Sequence, residues 1–377
     1  FNSLPYELAS YIFELATLLD NDNGEEERQP LSRKCSKMPT VLASVSREWR
    51  YITLQCTPRL WSHLEFIPRQ NKLKQQQSQL FAHVSRSQKC PLDIFINLRA
   101  QQGVMSSVAK RSYHKYASAI PEILEVLFPQ MDQWRSLTIF CDLWGPFVKA
   151  FELLNASTTA GASCLEILEI LEFQSCGDLK VWPPAINPSP RSERMACRVS
   201  FKALFPSDKI DLSQHKILPR LRHMSLRGVP MNWIALSQQL GAAAVLKSLH
   251  SLELSRFFAG EQAPTSNEFS AILTACPHLR KVAMRVFRLS NYKRERNPVP
   301  VTLFQLEELC LEYGNGFKDA EHAMEVLKHI NAPKLSRLFI IPCSRDSIHS
   351  GPDPQPLIAY AREWCAQSAA EVLFTSI

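Results

Sequence analysis

Long apolar runs are absent from this sequence. None reaches the roughly 18 residues that a membrane-spanning helix needs, so no membrane partner is expected. The opening residues lack a basic region followed by an apolar stretch, so no secretory leader is expected there. The sequence begins at Phe1 rather than Met, as a piece of a longer chain would. Glycine is scarce, 11 residues against 25 prolines, a balance that favours stiff element ends over flexible linkers. No G-x-x-x-x-G-K-[ST] or G-x-G-x-x-G phosphate cradle occurs, nor a G-x-S-x-G nucleophile elbow, nor an H-E-x-x-H zinc helix. The 11 cysteines contain no C-x-x-C pair, which argues against a zinc ribbon and a thioredoxin-type redox site. Cys141 and Cys310 stand in apolar runs and read as free thiols buried in a reducing compartment, cytoplasmic or nuclear. Cys365 follows Trp364 on a predicted helix and reads as core rather than nucleophile. The ten histidines have no metal-ligand spacing. No catalytic residue, metal site or cofactor is therefore expected. A triad assembled from distant residues leaves no local signature, so an enzyme on an unrelated α/β fold stays open.

What is present is the composition of a folded chain: 45% apolar and 21% charged over 377 residues. That length holds two or three domains, or one long repeat domain. Lys and Arg number 43 and Asp and Glu 36, a net charge of +7. This mild excess permits acidic partners. No finger, homeodomain or aromatic-rich ribonucleoprotein motif accompanies it, so nucleic acid is not an expected partner.

The first 66 residues differ from the rest. Pro5 suits a first helical turn, and Leu8, Ile12, Leu15 and Leu19 recur at helical spacing over about four turns. A polar loop follows from Asp20. Its Asp20-Asn21-Asp22-Asn23-Gly24 start evokes a calcium loop, but Gly24 falls one place early and position twelve is Leu31, so a solvated loop is expected. Met38 to Leu54 predicts two short helices meeting near Ser46, with Val41, Leu42, Val45, Trp49 and Ile52 on the apolar face. Leu64 and Phe66 then alternate as in a strand. Three short helices bury little core alone, so a partner or a neighbouring domain must cover them.

Three ordered blocks carry a resemblance. Leu4-Pro5-x-Glu7-Leu8-x-x-x-Ile12-Phe13, then Val45-Ser46-x-x-Trp49-Arg50-x-Ile52, then Thr57-Pro58-x-Leu60-Trp61 resemble an F-box of the fungal F-box-like type. The loop from Asp20 to Lys37 is longer than in the minimal motif. The resemblance implies docking on a Skp-type adaptor through Leu4, Pro5, Leu8, Ile12, Phe13 and Val45, with Trp49 as internal packing. It further implies a non-catalytic substrate receptor of an SCF-type cullin-RING ubiquitin ligase.

The remainder, residues 67–377, repeats a six-residue frame, apolar-x-x-apolar-x-apolar. The copies end at Ile139, Ile170, Leu226, Leu254, Met284, Leu311 and Ile340, at steps of 31, 56, 28, 30, 27 and 29. The long step suggests a degraded copy, with Cys197 to Phe201 as its remnant strand after an exposed Pro-rich insertion, Pro183 to Pro190. Weaker upstream copies lie at Trp61 to Phe66 and Leu92 to Leu98. Helices are predicted around Leu73 to Val84, after a cap at Asn267, and from a cap at Asp319 to Ile330. Period and frame resemble a leucine-rich repeat. The expected fold is thus α/β: a three-helix N-terminal region of residues 1–66, then an irregular repeat solenoid with a parallel concave sheet. An ordinary α/β sheet with units of similar length is the alternative.

In such a solenoid the third and seventh frame positions face out from the concave sheet. The third reads Ile167, His223, Ser251, Lys281, Glu308, Arg337, and the seventh Leu171, Arg227, Ser255, Arg285, Glu312, Ile341. Lys281, Glu308 and Arg337 then form an alternating charge ladder, with Arg285 beside Glu312. The charged members, His223, Arg227, Lys281, Arg285, Glu308, Glu312 and Arg337, are candidates to bind a target protein. Lateral pairing that only stabilises the sheet is the equal alternative. Arg285, Arg288, Lys293, Arg294 and Arg296 form the densest basic cluster, read first as a solvated loop and otherwise as a phosphate-binding or nuclear-import segment. A repeat scaffold without ligase assembly is the remaining alternative function.

Overall fold

The computed structural model describes residues 4–19, 37–67, 72–98, 120–141, 150, 153, 168–175, 218–229, 233, 236, 246–255, 263–289, 299–313, 319–342, 355–366 and 370–374. The chain forms two compact units, Phe1–Phe140 and Cys141–Ile377. The compositional break after residue 66 falls within the first.

The first unit opens with α1 (Tyr6–Leu19), α2 (Met38–Val45) and α3 (Arg47–Tyr51). The Pro5 carbonyl accepts the first helical bond of α1, from the Ala9 N–H at 3.1 Å. Ser46 breaks α2 from α3 in extended conformation, and its hydroxyl accepts from the Trp49 N–H at 3.1 Å. This is a helix N-cap at the predicted junction. A π-turn (Ile52–Cys56) and a 3₁₀ turn (Pro58–Trp61) follow. Ala9, Phe13, Leu42, Ile52, Leu60 and Trp61 close the small core, with Trp49 packed against it. The Trp61 indole N–H is satisfied by the Thr53 carbonyl at 2.8 Å. The Arg86 guanidinium lies 4.5 Å above the Trp61 ring, and the His83 ring meets it edge-on at 4.9 Å.

β1 (His63–Phe66), α4 (Leu73–Ser87), β2 (Leu92–Leu98), α5 (Ile120–Leu127) and β3 (Trp134–Cys141) complete that unit. β1 and β2 pair in parallel with His63 opposite Asp93, and the sheet order is β1-β2-β3. Strict alternation in Leu92–Leu98 buries Leu92, Ile94, Ile96 and Leu98, as period two requires. α4 buries Leu80 and Val84, while Phe81 stays exposed.

The second unit holds β4 (Ile170–Ser175), β5 (His223–Arg227), β6 (Ser251–Ser255), α6 (Ser266–Ala275), β7 (Lys281–Arg285), β8 (Val301–Thr302), β9 (Glu308–Tyr313), α7 (Asp319–Lys328), β10 (Ile330–Asn331), β11 (Arg337–Pro342), α8 (Gln355–Cys365) and β12 (Glu371–Phe374). Strands β4-β5-β6-β7-β9-β11-β12 pair in parallel in that order. β8 and β10 form a separate short parallel pair. The architecture is mixed α/β with a long parallel sheet, as the sequence predicts. Frame positions four and six are buried throughout: Met224 and Leu226, Leu252 and Leu254, Val282 and Met284, Leu309 and Leu311, Leu338 and Ile340.

Three local expectations are corrected. The second frame copy is displaced by three residues: β4 pairs Ile170 with His223 and Leu171 with Met224. Ile170 and Gln174 therefore occupy the third and seventh positions. Leu171 is buried core, and Ile167 lies outside the described residues. The cap of α6 is Thr265, not Asn267. Its hydroxyl accepts from the Glu268 N–H at 3.2 Å, while the Glu268 carboxylate accepts from the Thr265 N–H at 2.8 Å. Helix α7 includes Asp319 and stops at Lys328, because Ile330 and Asn331 leave it to pair with Val301 and Thr302. The remnant strand, the Pro-rich insertion and the loop after Asp20 lie outside the described residues.

Candidate functional site

Two surfaces gather the residues singled out above. The first lies on the N-terminal helices. In α1, Ala9 and Phe13 form the stripe that fills the core. Leu8, Tyr11, Ile12 and Leu15 form a second stripe at i, i+3, i+4, i+7, and all four are exposed, between 40% and 60%. Leu4, Tyr6, Val41, Val45 and Tyr51 are exposed apolar residues of the same helical region, with the Tyr6 and Tyr51 rings 6.0 Å apart. Pro5 is exposed as well. Of the six residues assigned to adaptor docking, Leu4, Pro5, Leu8, Ile12 and Val45 are thus open to a partner. Phe13 is not: it is 1% exposed and packs on Trp49 with ring centroids 4.9 Å apart. Its role is to hold α1 on the core. Tyr11, Leu15 and Val41 are further exposed members: the sequence reading placed Leu15 and Val41 on apolar faces without assigning them to docking, and it passed over Tyr11.

The second surface is the sheet face carrying frame positions three, five and seven in the second unit. Lys281 Nζ lies 2.8 Å from Glu308, and Arg337 pairs with the same carboxylate from the other side. Arg285 sits between two carboxylates, 3.2 Å from Glu253 and 3.5 Å from Glu312. His223 Nε2 donates to Glu172 at 3.0 Å. The predicted ladder is therefore built, with lateral pairs. Arg227 belongs to the same face and is half-buried. The fifth position, unremarked in the sequence, contributes Glu172 and Glu253, both buried. A charge enclosed by core residues on either side, as in Leu171-Glu172-Phe173 and Leu252-Glu253-Leu254, was the available signal. An equivalent node occurs in the first unit, where Asp93 takes His63 at 3.1 Å and a two-pronged contact from Arg135.

Among the described residues no group of three or more His, Cys, Asp or Glu side chains is placed to hold a metal ion. Burial pushes the Cys310 and Cys365 thiols up to about 11 and raises Cys276 further, the opposite of an activated thiolate. Among the described residues no helix is long and apolar enough to cross a membrane. Of the basic cluster, Arg285 belongs to the sheet face and Arg288 lies beyond it, while Lys293, Arg294 and Arg296 fall outside the described residues. No protein-family model matches the chain, and no curated protein matches it.

Proposed function

We propose that this chain is a non-catalytic substrate receptor of an SCF-type cullin-RING ubiquitin ligase. Its F-box-like helices dock on a Skp-type adaptor, which joins it to the cullin, and its leucine-rich-repeat-like sheet holds a target protein. The chain would work in the cytoplasm, the nucleus or both. Ubiquitin transfer belongs to partner enzymes, and the chain's contribution is proximity: it raises the effective concentration of target near the loaded conjugating enzyme.

The observation that carries this reading is the second apolar stripe of α1. Leu8, Tyr11, Ile12 and Leu15 remain exposed although the stripe beside them has already filled the core. Each Leu or Ile taken out of water is worth about 1.5–3 kcal/mol, so a row of them is costly unless a partner covers it. Leu8 and Ile12 of this stripe belong to the first F-box-like block, which supports a Skp-type adaptor as the partner.

The test is co-expression of the chain with a Skp-type adaptor, followed by size-exclusion chromatography. An equimolar complex is expected for the parent chain and its loss for Leu8→Asp with Ile12→Asp. No complex with a folded parent chain would move the reading to an adaptor-independent repeat scaffold. That second reading is favoured by the ion-paired sheet face, which needs no ligase to bind a partner.

A further inference from the structure

The parallel sheet of the second unit repeats one donor–acceptor step between strands. Each second-position carbonyl accepts two N–H groups from the next strand. The Glu169 carbonyl takes those of Arg222 and His223, Arg222 those of His250 and Ser251, His250 those of Arg280 and Lys281, and Arg280 those of Glu307 and Glu308, all at 2.8–3.0 Å. These doubled bonds hold Glu169, Arg222, His250, Arg280 and Glu307 side by side in one row, at the end of the sheet where the chain enters each strand.

This entry row is not charge-balanced in the way that the third-position row is. There, Lys281 and Arg337 share the Glu308 carboxylate that stands between them. In the entry row Arg222 and Arg280 stand two strands apart with only His250 between them. Arg220 and Lys247 add charge in the turns that lead into β5 and β6, and Arg220, Arg222, Lys247, Arg280 and Lys281 are all exposed. No Asp or Glu occurs at 218–223, 246–251 or 276–281. Among the described residues no carboxylate pairs with Arg220, Arg222 or Lys247, and Arg280 reaches Glu307 only at 4.0 Å. His250 positions Arg222: its Nδ1 donates to the Ser248 carbonyl at 2.8 Å, which leaves Nε2 to accept from Arg222 Nη1 at 3.0 Å. Like charges gathered on neighbouring strands destabilise a sheet, and a partner of opposite charge removes that cost.

The row also sets the size of the partner. Glu169 bounds it beside β5 and Glu307 bounds it beside β7. The cations therefore span three strands, about 10 Å, the length of roughly three extended residues. A nucleic-acid backbone running on in either direction would meet a carboxylate. A short run of side-chain carboxylates would not.

We infer that the entry edge of β5, β6 and β7 binds a short acidic segment of a partner protein, a run of Asp or Glu received by Arg220, Arg222, Lys247 and Arg280. The cations are spread along the row one by one rather than converging on a point, which suits single charges on successive side chains. Such contacts select by charge and speed encounter. The inference goes beyond the ligase reading and stands whether or not the N-terminal helices dock on an adaptor.

The experiment uses the full chain and a fluorescein-labelled peptide, Gly-Glu-Asp-Glu-Asp-Glu-Gly, read by anisotropy at low salt. Saturable binding is expected, with no binding of the Gln/Asn peptide of the same length. Arg222→Glu with Lys247→Glu should weaken it about tenfold or more, because two attractive contacts become repulsive. Lys74→Glu with Lys89→Glu makes the same change in net charge at exposed positions of the first unit and should leave binding within about twofold. Absence of saturable binding would overturn the inference. Equal losses in the two double variants would do so too, because attraction to net charge alone would explain them. Tighter binding of a single-stranded RNA of equal charge, lost in the Arg222 and Lys247 variant, would give the edge to nucleic acid and overturn it as well.

Discussion

The backbone N–H of Val286 donates to the carbonyl of Glu312 at 2.6 Å, from a residue whose φ is +49°. A β-branched residue is a poor occupant of that left-handed region, and only glycine enters it without a steric penalty. The bond continues the pairing of β7 with β9 one residue past the Arg285–Glu312 pair. It turns the chain so that Phe287 lies against Phe269, centroids 5.5 Å apart. Val286 also lines a small, mainly apolar cavity with Met284, Leu311, Ala323 and Val326.

Replacing Val286 with Gly should stabilise the second unit by about 0.5–1 kcal/mol, the relieved strain less the entropy that glycine adds to the unfolded chain. The urea midpoint of the full chain, with an unchanged slope, is the readout. A lower midpoint would mean that the valine methyls in the cavity outweigh the strain.

Adjacent residues of α1 should separate folding from docking. Phe13→Ala removes the ring that packs on Trp49 and should cost about 3–5 kcal/mol of stability. Ile12→Ala, at an exposed position, should leave stability within about 0.5 kcal/mol. Under the proposed function it should weaken adaptor binding by about 1 kcal/mol or more. Thermal melts and adaptor titrations of the two variants check the pair together.

The charge pairs of the sheet face should not be equal. Glu253 is buried and Arg285 is its ion-pair partner at 3.2 Å, so Arg285→Met should destabilise by roughly 1–3 kcal/mol. Lys281 is exposed, and Lys281→Met should cost about 0–1 kcal/mol, less at high salt. Denaturant midpoints at low and high salt would show whether the buried carboxylate makes this difference.

His83 predicts a pH dependence. Burial, and secondarily the Arg86 guanidinium, pushes its pKa down to about 4. The unfolded chain therefore takes up the proton first. Stability is unaffected above the ordinary value of about 6.5 and falls as the pH drops from there towards about 4. His83→Gln should flatten that part of the stability–pH curve. An equally steep acid loss in the variant would place the responsible group elsewhere.

Much of the second unit was legible because burial repeats where the sequence repeats. Lys281, Glu308 and Arg337 fall opposite one another because the frame fixes strand register, and register fixes which charges meet. The frame failed where the sequence was degenerate. Leu165-Glu-Ile-Leu-Glu-Ile-Leu-Glu-Phe173 satisfies it starting at Leu165 or at Leu168, and only pairing with β5 decides. The N-terminal helices were legible as helices but not as surfaces. Both stripes of α1 are apolar, so composition could not say that Phe13 goes inward and Ile12 outward. The α6 start was missed by two residues because Asn267 and Thr265 are both good caps, and the reciprocal bond to Glu268 selects the threonine.

The repeated donor–acceptor step between strands also determines how damage spreads. In the long sheet of the second unit β5, β6, β7, β9 and β11 each touch two neighbours in the same way, so none of these strands is a keystone for the rest. A lesion in one of them is felt next door and fades beyond, as in a one-dimensional stack with nearest-neighbour coupling. Hydrogen exchange in a variant damaged at β6 should therefore quicken first in β5 and β7 and last in β12, opening outward like a zip rather than melting all at once.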